Sequence, residues 1–185
     1  SEWVVFDQNT FDYLGSHGEL PEIEGCMDLA AANYDPNATI DCGDCCEYGD
    51  AYTIYDIQYT DQVGDGTYDC FPSPYGAYDD EQYVTTTGVI TAVKPGSNPN
   101  FYIQDFSDNT YAGIYVYDNA WSPVLGSEVT ITGKVHEYYG FTELVELSYF
   151  NINSGGNNLT IKDISTGDLA NGCTATGESL EGMLV

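Results

Sequence analysis

A five-residue motif occurs twice in the second half of the chain, and it restricts the fold more than any other feature of the sequence. The run VTTTG at residues 84–88 is echoed by VTITG at residues 129–133, and each run continues into further strand-like sequence. Val, Ile and Thr favour β-strands, whereas a glycine inside a strand weakens it and is typical of a bend. Glycines at the same place in two long strands therefore predict the corners of a small β-barrel.

Three more strand-like runs lie between and after the two motifs, at residues 100–105, 112–118 and 141–150. Short runs with alternating apolar residues, separated by polar turns, are typical of antiparallel strands. Five such strands predict an all-β fold in the form of a small OB-like Greek-key barrel. An unrelated β-sandwich is the alternative, because the number of strands alone does not distinguish the two folds.

The first half of the chain is dominated by cysteine and by residues typical of turns. Four of the six cysteines fall within 21 positions: Cys26, Cys42, Cys45 and Cys46, with Cys70 and Cys173 further on. An even number of cysteines with this spacing predicts disulfide bonds. A zinc site usually needs a second close pair, and a redox CxxC motif needs a βαβ context, so both are less favoured. We therefore predict an N-terminal disulfide-stapled, loop-rich segment ahead of the barrel.

The pairing of the cysteines stays open among the many arrangements that six cysteines allow. Cys45 and Cys46 are adjacent, so we expect them to have separate partners. The bond that we prefer joins Cys70 to Cys173 and would clamp the end of the chain onto its middle.

Changes in composition divide the chain into five parts. They are an extended arm at residues 1–24, a Cys-rich module at 25–50, a connector at 51–81, the barrel at 82–165 and a tail at 166–185. The connector contains an alternating run at residues 52–59 that predicts a strand, followed by a loop rich in glycine and proline. The tail is predicted to end in a strand.

Acidic residues outnumber basic ones by 30 to 3, for a formal net charge of −27. The three bases, Lys94, Lys134 and Lys162, are too few and too scattered to neutralise phosphates, which argues against nucleic acid as a partner. No stretch approaches the roughly 20 apolar residues that cross a bilayer, and the N-terminus lacks the basic start of a signal peptide. No membrane span is therefore expected, and the cysteine pattern is typical of an extracellular or cell-surface protein, in which Ser1 would be the processed N-terminus.

Side-chain oxygens recur at alternate positions in the Cys-rich module, as in a loop that wraps a hard cation. The candidate calcium ligands are Asp35, Asn37, Thr39, Asp41 and Asp44. The alternative is that these residues form Asx turns, in which the side chain bonds to nearby backbone. A weaker calcium candidate is the loop with Asp61, Asp65 and Asp69, where plain solvation of the carboxylates is favoured.

The sequence also contains features that bear on sugars. Asn37 and Asn158 each begin a sequon for N-linked glycosylation, and at Asn37 this role competes with calcium binding. Four tyrosines have rings that could stack on a bound sugar: Tyr115, Tyr117, Tyr138 and Tyr139. Aromatic residues in strands more often pack in the core or pair across strands, so we favour packing for these four.

Few residues suggest catalysis. His17 and His136 are isolated in the sequence, which contains no nucleophile elbow, no phosphate-binding loop and no paired histidines of a zinc site. The carboxylates could supply an acid and a base for glycoside hydrolysis, but a solvated acidic surface explains them more simply. The sequence therefore predicts a non-enzymatic protein.

Both ends of the chain carry apolar, strand-like runs. They consist of Trp3, Val4, Val5 and Phe6 at the start, and of Met183, Leu184 and Val185 at the end. An exposed strand of this kind pairs with another chain unless its own sheet uses it, and head-to-tail strand addition without closure produces a filament. The alternative is that both ends complete sheets within their own chain.

Two stretches resemble known families. The runs VTTTGVITAV, FYIQD, GIYVYD and VTITGKVHEYYGFTEL resemble the OB-fold domains found beside nuclease domains in secreted bacterial proteins, over residues 82–150 with a similar lead-in from residue 52. Residues 25–48 are similar to a short Cys-rich repeat of bacterial surface proteins, although Ala32 stands where that repeat commonly has a cysteine. The resemblance implies an extracellular setting. It does not imply nuclease activity, because the nuclease domain lies outside the matched region.

These features predict a non-enzymatic extracellular structural protein, a self-assembling filament or surface-layer subunit joined through its terminal strands and by calcium. Its partner would then be other copies of the same chain. The alternative is a carbohydrate-binding or accessory module related to secreted hydrolases or nucleases.

Overall fold

The computed structural model describes residues 22–29, 31, 33–46, 48–63, 70–77, 81–95, 100–169 and 174–185. These residues form eight strands: β1 (Glu24–Gly25), β2 (Ile40–Asp41), β3 (Asp50–Ala51), β4 (Tyr83–Val93), β5 (Phe101–Gln104), β6 (Gly113–Tyr117), β7 (Glu128–Glu137) and β8 (Thr142–Ser154). They also form helices α1 (Ile54–Gln58) and α2 (Ala175–Glu178), with a 3-10 turn at Thr166–Leu169.

The five strands β4 to β8 close into a barrel in the order β4-β5-β6-β8-β7, with β7 pairing back to β4. All neighbours in the ring are antiparallel except β6 and β8, which are parallel because the chain crosses from one to the other through β7. This closed barrel confirms the predicted all-β, OB-like fold.

The two copies of the repeated motif lie side by side in the barrel. Strands β4 and β7 are antiparallel, with Val84 opposite Gly133 and Gly88 opposite Val129. Each motif glycine therefore faces the first residue of the other motif. The register between β7 and β8 shifts just at Gly133, which confirms a bend there.

Gly88 also lies in a crowded part of the core. A Cβ at this position would come within 3.0 Å of Ile54 Cδ1 and 3.2 Å of Ile103 Cβ. The absent side chain thus leaves room for α1 to pack against the end of the barrel.

Twelve fully buried side chains form the core, ten from the barrel strands and two from α1. They are Ile54, Ile57, Val84, Ile90, Phe101, Ile103, Ile114, Val116, Val129, Ile131, Val135 and Leu144. On β6, for example, Ile114 and Val116 point inward, so Tyr115 and Tyr117 point outward. Alternation along the strands therefore separates a dry interior from an outer face that carries aromatic residues.

The strand predicted at residues 52–59 is wrong, since Ile54–Gln58 is helical. Thr53 and Asp56 form a capping box in which the Thr53 side chain accepts from Asp56 N and the Asp56 carboxylate accepts from Thr53 N, each at 3.1 Å. Ile54 and Ile57, three positions apart, are both fully buried. The cap and the helical spacing of the two isoleucines outweigh the alternation of the tyrosines.

The Cys-rich module contains two disulfides, Cys26–Cys46 and Cys42–Cys45, beside the short parallel pair β1 and β2. Adjacent Cys45 and Cys46 thus have separate partners, as predicted. Cys70 is also disulfide-bonded, but its predicted partner Cys173 lies outside the described residues.

The predicted C-terminal strand is wrong as well. After α2 the chain continues through turns, and Met183, Leu184 and Val185 form no strand. The tail packs on the barrel instead: Leu180 is buried and Leu184 N donates to Gln104 Oε1 at 2.8 Å. The corresponding run at the start of the chain, from Trp3 to Phe6, lies outside the described residues.

The tail approaches the barrel most closely where two glycines meet. A Cβ on Gly113 would collide with the backbone of Gly182, and a Cβ on Gly182 would collide with the backbone of Gly113. Gly182 also has a φ of +66°, which favours glycine. The apolar end is therefore held against its own chain because it turns back at Gly182 and docks beside β6.

Candidate ligand-binding groove

A groove of about 780 Å³ crosses the outer face of β6, β8 and β7. The strand register defines its floor, because Tyr115 on β6 lies opposite Glu143 on β8, and Glu143 lies opposite His136 on β7. In the next row, Tyr117 lies opposite Val145. The floor thus combines aromatic, carboxylate, imidazole and aliphatic groups.

Tyr115 is fixed at the centre of this floor. Its ring lies 4.8 Å from that of Tyr102 on β5 and 5.7 Å from that of Phe141, measured between ring centres. Asn100 Nδ2 donates to the Tyr115 hydroxyl at 2.9 Å. Packing and this hydrogen bond together set the orientation of the ring before any ligand arrives.

One end of the groove is bounded by the tight turn between β7 and β8. Tyr138 and Phe141 exchange backbone hydrogen bonds of 2.9 and 3.2 Å, and the residues between them, Tyr139 and Gly140, have φ values of 54° and 77°. Two positive φ values define a type I′ hairpin turn, whose first position favours Asn, Asp or Gly. Tyr139 occupies that position despite the strain, and its side chain is 70% exposed.

The other end of the groove is bounded by a bulge in β8. Between the pairs Thr132–Tyr149 and Lys134–Val145, β7 advances by two residues while β8 advances by four. Within the bulge, Glu146 has a φ of 49°, a conformation that non-glycine residues rarely adopt, and it lines the groove. Bulges of this kind redirect side chains beside binding sites.

Asp118, which follows β6, ties the bulge to the groove wall. Its Oδ1 accepts from Ala120 N at 2.8 Å and its Oδ2 accepts from Leu147 N at 2.9 Å. The second bond satisfies a backbone donor in the bulged part of β8. One carboxylate therefore holds the wall and the bulge in a fixed relative position.

A chain of ionisable groups begins on the floor at Glu143 and His136 and continues beyond the groove to Glu81 and Lys134. Glu143 is only 6% exposed, and its Oε1 lies 3.0 Å from His136 Nδ1. His136 Nε2 lies 3.8 Å from Glu81 Oε1, and Glu81 Oε2 lies 2.7 Å from Lys134 Nζ. The hydrogen bond from Lys134 to Glu81 raises the pKa of the lysine, which keeps its charge and remains paired.

The preference for packing of the four tyrosines is correct for one of them. Tyr115 is partly buried and pairs across the strands, but Tyr117, Tyr138 and Tyr139 are 56, 57 and 70% exposed. Packing is wrong for these three because Tyr117 points outward from the barrel, and Tyr138 and Tyr139 belong to the turn between β7 and β8. The sequence does contain a signal of exposure at Tyr139, which is an aromatic residue directly before a glycine in a short hairpin loop.

Sequence reasoning missed most of the groove. His136 is isolated in the sequence because its neighbours Glu81 and Glu143 come close to it only in the folded chain. Asp118 and Glu146 were indistinguishable from other surface carboxylates in so acidic a chain. No sequence signal identifies them, because the bulge that brings them together depends on the closed barrel.

Three of the predicted calcium ligands accept hydrogen bonds from backbone N–H groups. Asp35 Oδ1 accepts from Asn37 N at 2.8 Å, and Asp41 Oδ1 accepts from Gly43 N at 2.9 Å, both Asx turns. Thr39 Oγ1 accepts from Ile23 N at 2.9 Å. The turns expected under the alternative are therefore present, while calcium binding stays a prediction.

Within the described residues, one group of metal-type ligands comes together, consisting of Asp41, Cys42 and Cys46. Both cysteines are in disulfides and offer no thiolate. In the weaker candidate loop, Asp61 is exposed, and Asp65 and Asp69 lie outside the described residues.

The two predicted glycosylation sites are accessible. Asn37 and Thr39 are exposed in the Cys-rich module, and Asn158 and Thr160 are exposed after β8. Attachment of sugar at either asparagine stays a prediction.

The chain matches no protein-family model, and a search of curated proteins finds no relative. The resemblance to OB-fold domains of secreted bacterial proteins therefore stays a prediction. In the described part of the chain, no helix has the length and hydropathy needed to cross a membrane.

Proposed function

We propose that the protein is a carbohydrate-binding module that holds a glycan in the groove of its barrel. The observation that carries this proposal is a set of exposed tyrosine rings: Tyr117 and Tyr138 line the groove, and the centre of the Tyr139 ring lies 4.8 Å from that of Tyr138. The C–H face of a sugar ring is apolar and slightly positive, and it complements the electron-rich face of an aromatic ring. Exposed rings beside an open groove are arranged to receive such a face.

The position of the groove supports the same function. In OB folds, ligands such as oligosaccharides and oligonucleotides bind on the second and third strands and on the loops that flank them. Here those strands are β5 and β6, and the groove includes Tyr115 on β6, Asn100 just before β5 and the turn between β7 and β8.

The polar groups of the groove suit hydroxyl groups. Asn119 and Asn100 provide amides, and Glu143 and Glu146 provide carboxylate acceptors. Sugar hydroxyls both donate and accept hydrogen bonds, so this mixture matches their needs. The same carboxylates oppose an oligonucleotide, whose phosphates would meet like charge.

The proposal is tested by titrating the 185-residue protein with a panel of soluble oligosaccharides that covers neutral, acidic and amino sugars. For at least one class of sugar, we expect a heat of binding that saturates at a stoichiometry near one. Chemical-shift changes confined to residues of β6, β8 and the turn between β7 and β8 would locate the ligand. Saturable binding to single-stranded DNA in place of every sugar would overturn the proposal.

Self-assembly into a filament or surface layer remains a second prediction, but only one of the two terminal runs still supports it. The C-terminal run is docked on its own barrel through Leu180 and Leu184. The expectation now rests on the run from Trp3 to Phe6, outside the described residues. Negative-stain images of the purified protein test it, because long polymers would support assembly and single particles at high concentration would contradict it.

A further inference from the structure

We propose that the groove selects sugars that carry a protonated amine, of which oligomers of glucosamine are the simplest probe. This inference rests on the proposed carbohydrate-binding function and adds the class of sugar. It follows from the charges that line the groove and from the partners of each charge.

The central carboxylate belongs to Glu143, whose side chain is 8% exposed between Tyr115 and His136. Among the described residues, His136 is its one hydrogen-bond partner, through Oε1. The carboxylate lines the groove, so Oε2 can accept from a ligand. A hydrogen bond between a charged donor and a carboxylate at such a sheltered position is about twice as strong as a neutral one.

Two more carboxylates, Asp118 and Glu146, line the same groove. Asp118 is occupied by backbone donors, and Glu146 Oε2 accepts from the Tyr83 hydroxyl at 3.3 Å. Neither contact neutralises the negative charge. Three carboxylates therefore act on a ligand from the floor and the rim of one groove.

Positive charge on this face is limited to Lys134 and, when protonated, His136. Lys134 is the only lysine on β6, β7 or β8, and Glu81 neutralises it at 2.7 Å. His136 lies between the carboxylates of Glu81 and Glu143. An anionic sugar would thus find no unpaired lysine on these strands and would be repelled.

The aromatic rings add to the attraction for a cation. Tyr115 and Phe141, with ring centres 5.7 Å apart, line the same groove as Glu143, so an ammonium group bound to Glu143 would lie near aromatic rings. Cations are attracted to the faces of aromatic rings, more strongly where water is excluded. A sugar ring with a protonated amine can use the stacking surface and also form an ion pair with the carboxylate, whereas a neutral sugar offers the carboxylate only its hydroxyl groups.

The test compares three hexamers in calorimetric titrations of the full chain at about pH 6, where an aliphatic amine is protonated. They are built from glucosamine, N-acetylglucosamine and galacturonic acid. We expect the glucosamine hexamer to bind about tenfold more tightly than the acetylated hexamer. This difference in affinity should become smaller as salt is added. The galacturonic acid hexamer should show no binding. Equal affinity for the first two would overturn the inference and leave the carbohydrate-binding function intact. Failure of all three sugars would also overturn the inference, and the wider oligosaccharide panel would then decide whether the carbohydrate-binding function stands.

A chain with a net charge of −27 attracts polycations in general, so variants must show that the groove is responsible. Glu143→Gln should abolish the preference for the amine, and the variant should still bind the acetylated hexamer. Glu146→Gln, on the exposed rim, should reduce the preference even if the first variant folds poorly. Glu128→Gln, on β7 outside the groove, is the matched control. Equal effects of all three variants, or binding of a lysine hexapeptide in place of the sugar, would contradict selection by the groove.

Discussion

Tyr115 and Glu143 lie directly opposite each other on the parallel strands β6 and β8. The central ring of the groove and its most sheltered carboxylate are therefore positioned by one strand register. A slip of one residue in either strand would turn that strand's member of the pair to the other face of the sheet. Recognition of a sugar ring and of a charged group on it thus depends on the closure of the barrel as much as on Tyr115 and Glu143.

Replacing Tyr139 should make the protein more stable and a weaker binder. Tyr139→Asn places a residue that tolerates positive φ at the first position of the type I′ turn, and relief of strain of about 1 kcal/mol should raise the melting temperature by about 2–4 °C. Loss of the ring should weaken glycan binding by about three- to tenfold. Calorimetric titration and thermal melting measure the two effects.

Tyr117→Asn is the control for this prediction. Tyr117 is exposed like Tyr139, but its backbone is not among those with positive φ. The control should lose affinity without gaining stability. A fall in melting temperature for Tyr139→Asn would show that the turn is not strained by tyrosine.

Gly113→Ala should destabilise the protein, because the new methyl group collides with the backbone of Gly182. Overpacking of this kind costs about 1–3 kcal/mol. Urea unfolding should show the loss, and proteolysis should show earlier cleavage of the tail. Gly155→Ala is the matched control, since the nearest atom to its new methyl group is Ser127 Oγ at 3.9 Å. An unchanged unfolding midpoint for Gly113→Ala would argue that the tail does not dock beside β6.

Stability should fall as the pH rises from mildly acidic to mildly alkaline. Burial is the main cause of raised pKa values at Glu181, to about 8, and at Glu178, to about 7, from an ordinary value of 4.5; the charge of Glu137 contributes to both values and that of Glu178 to the value of Glu181. The folded state therefore holds more protons than the unfolded chain between 4.5 and about 8, so the free energy of unfolding decreases across this window. The other polar neighbours of Glu181 are Thr142 and Gln58, whose hydrogen bonds act in the opposite direction.

Glu181→Gln is the variant that tests this pH dependence. It removes the titrating group and should flatten the decline in melting temperature between about pH 5 and pH 9. Glu24→Gln, at an exposed position of β1, should leave the slope unchanged. A parallel decline in the wild type and both variants would assign the effect to general repulsion among the carboxylates.

Calcium should raise the melting temperature if the oxygens of the Cys-rich module bind it, because a ligand of the folded state stabilises that state by mass action. Asp41→Asn retains an acceptor for Gly43 N and removes the charge, so it should melt like the wild type in chelator but lose the response to calcium. No response of the wild type to calcium would leave only the Asx turns as the role of Asp35 and Asp41.

The barrel was predictable because its information is local and repeated. The VTTTG and VTITG runs alternate inward and outward residues, and each glycine falls where the structure needs room or a bend. Helix α1 was not predictable from alternation, since Ile54 and Ile57 suit either element until the capping box at Thr53 is recognised. Similarly, the apolar end of the tail resembles a strand, and only the contact between Gly113 and Gly182 shows why it turns back.

The groove was beyond sequence reasoning for a different reason. Its members come from β6, from β8 and from the end of β7, and residues such as His136 and Glu143 meet through pairing across a hairpin. Outward-facing residues of a strand look alike whether they line a groove or face open solvent. The predicted packing is therefore wrong for Tyr117, Tyr138 and Tyr139, because the tendency of aromatic side chains to pack in the interior does not hold for residues on the outside of the barrel.

A closed ring of strands has no end at which another strand can be added. On β4, whose one side pairs with β7, the other side is covered by β5 from Val89 onward and by β3 at Val84 and Thr85. These pairings cover most of β4, whereas the outer side of β3 has no strand partner among the described residues. If the groove binds a polysaccharide as proposed, the spacing between copies is set by the repeat of the sugar, and an ordered coat could form from molecules that never touch one another.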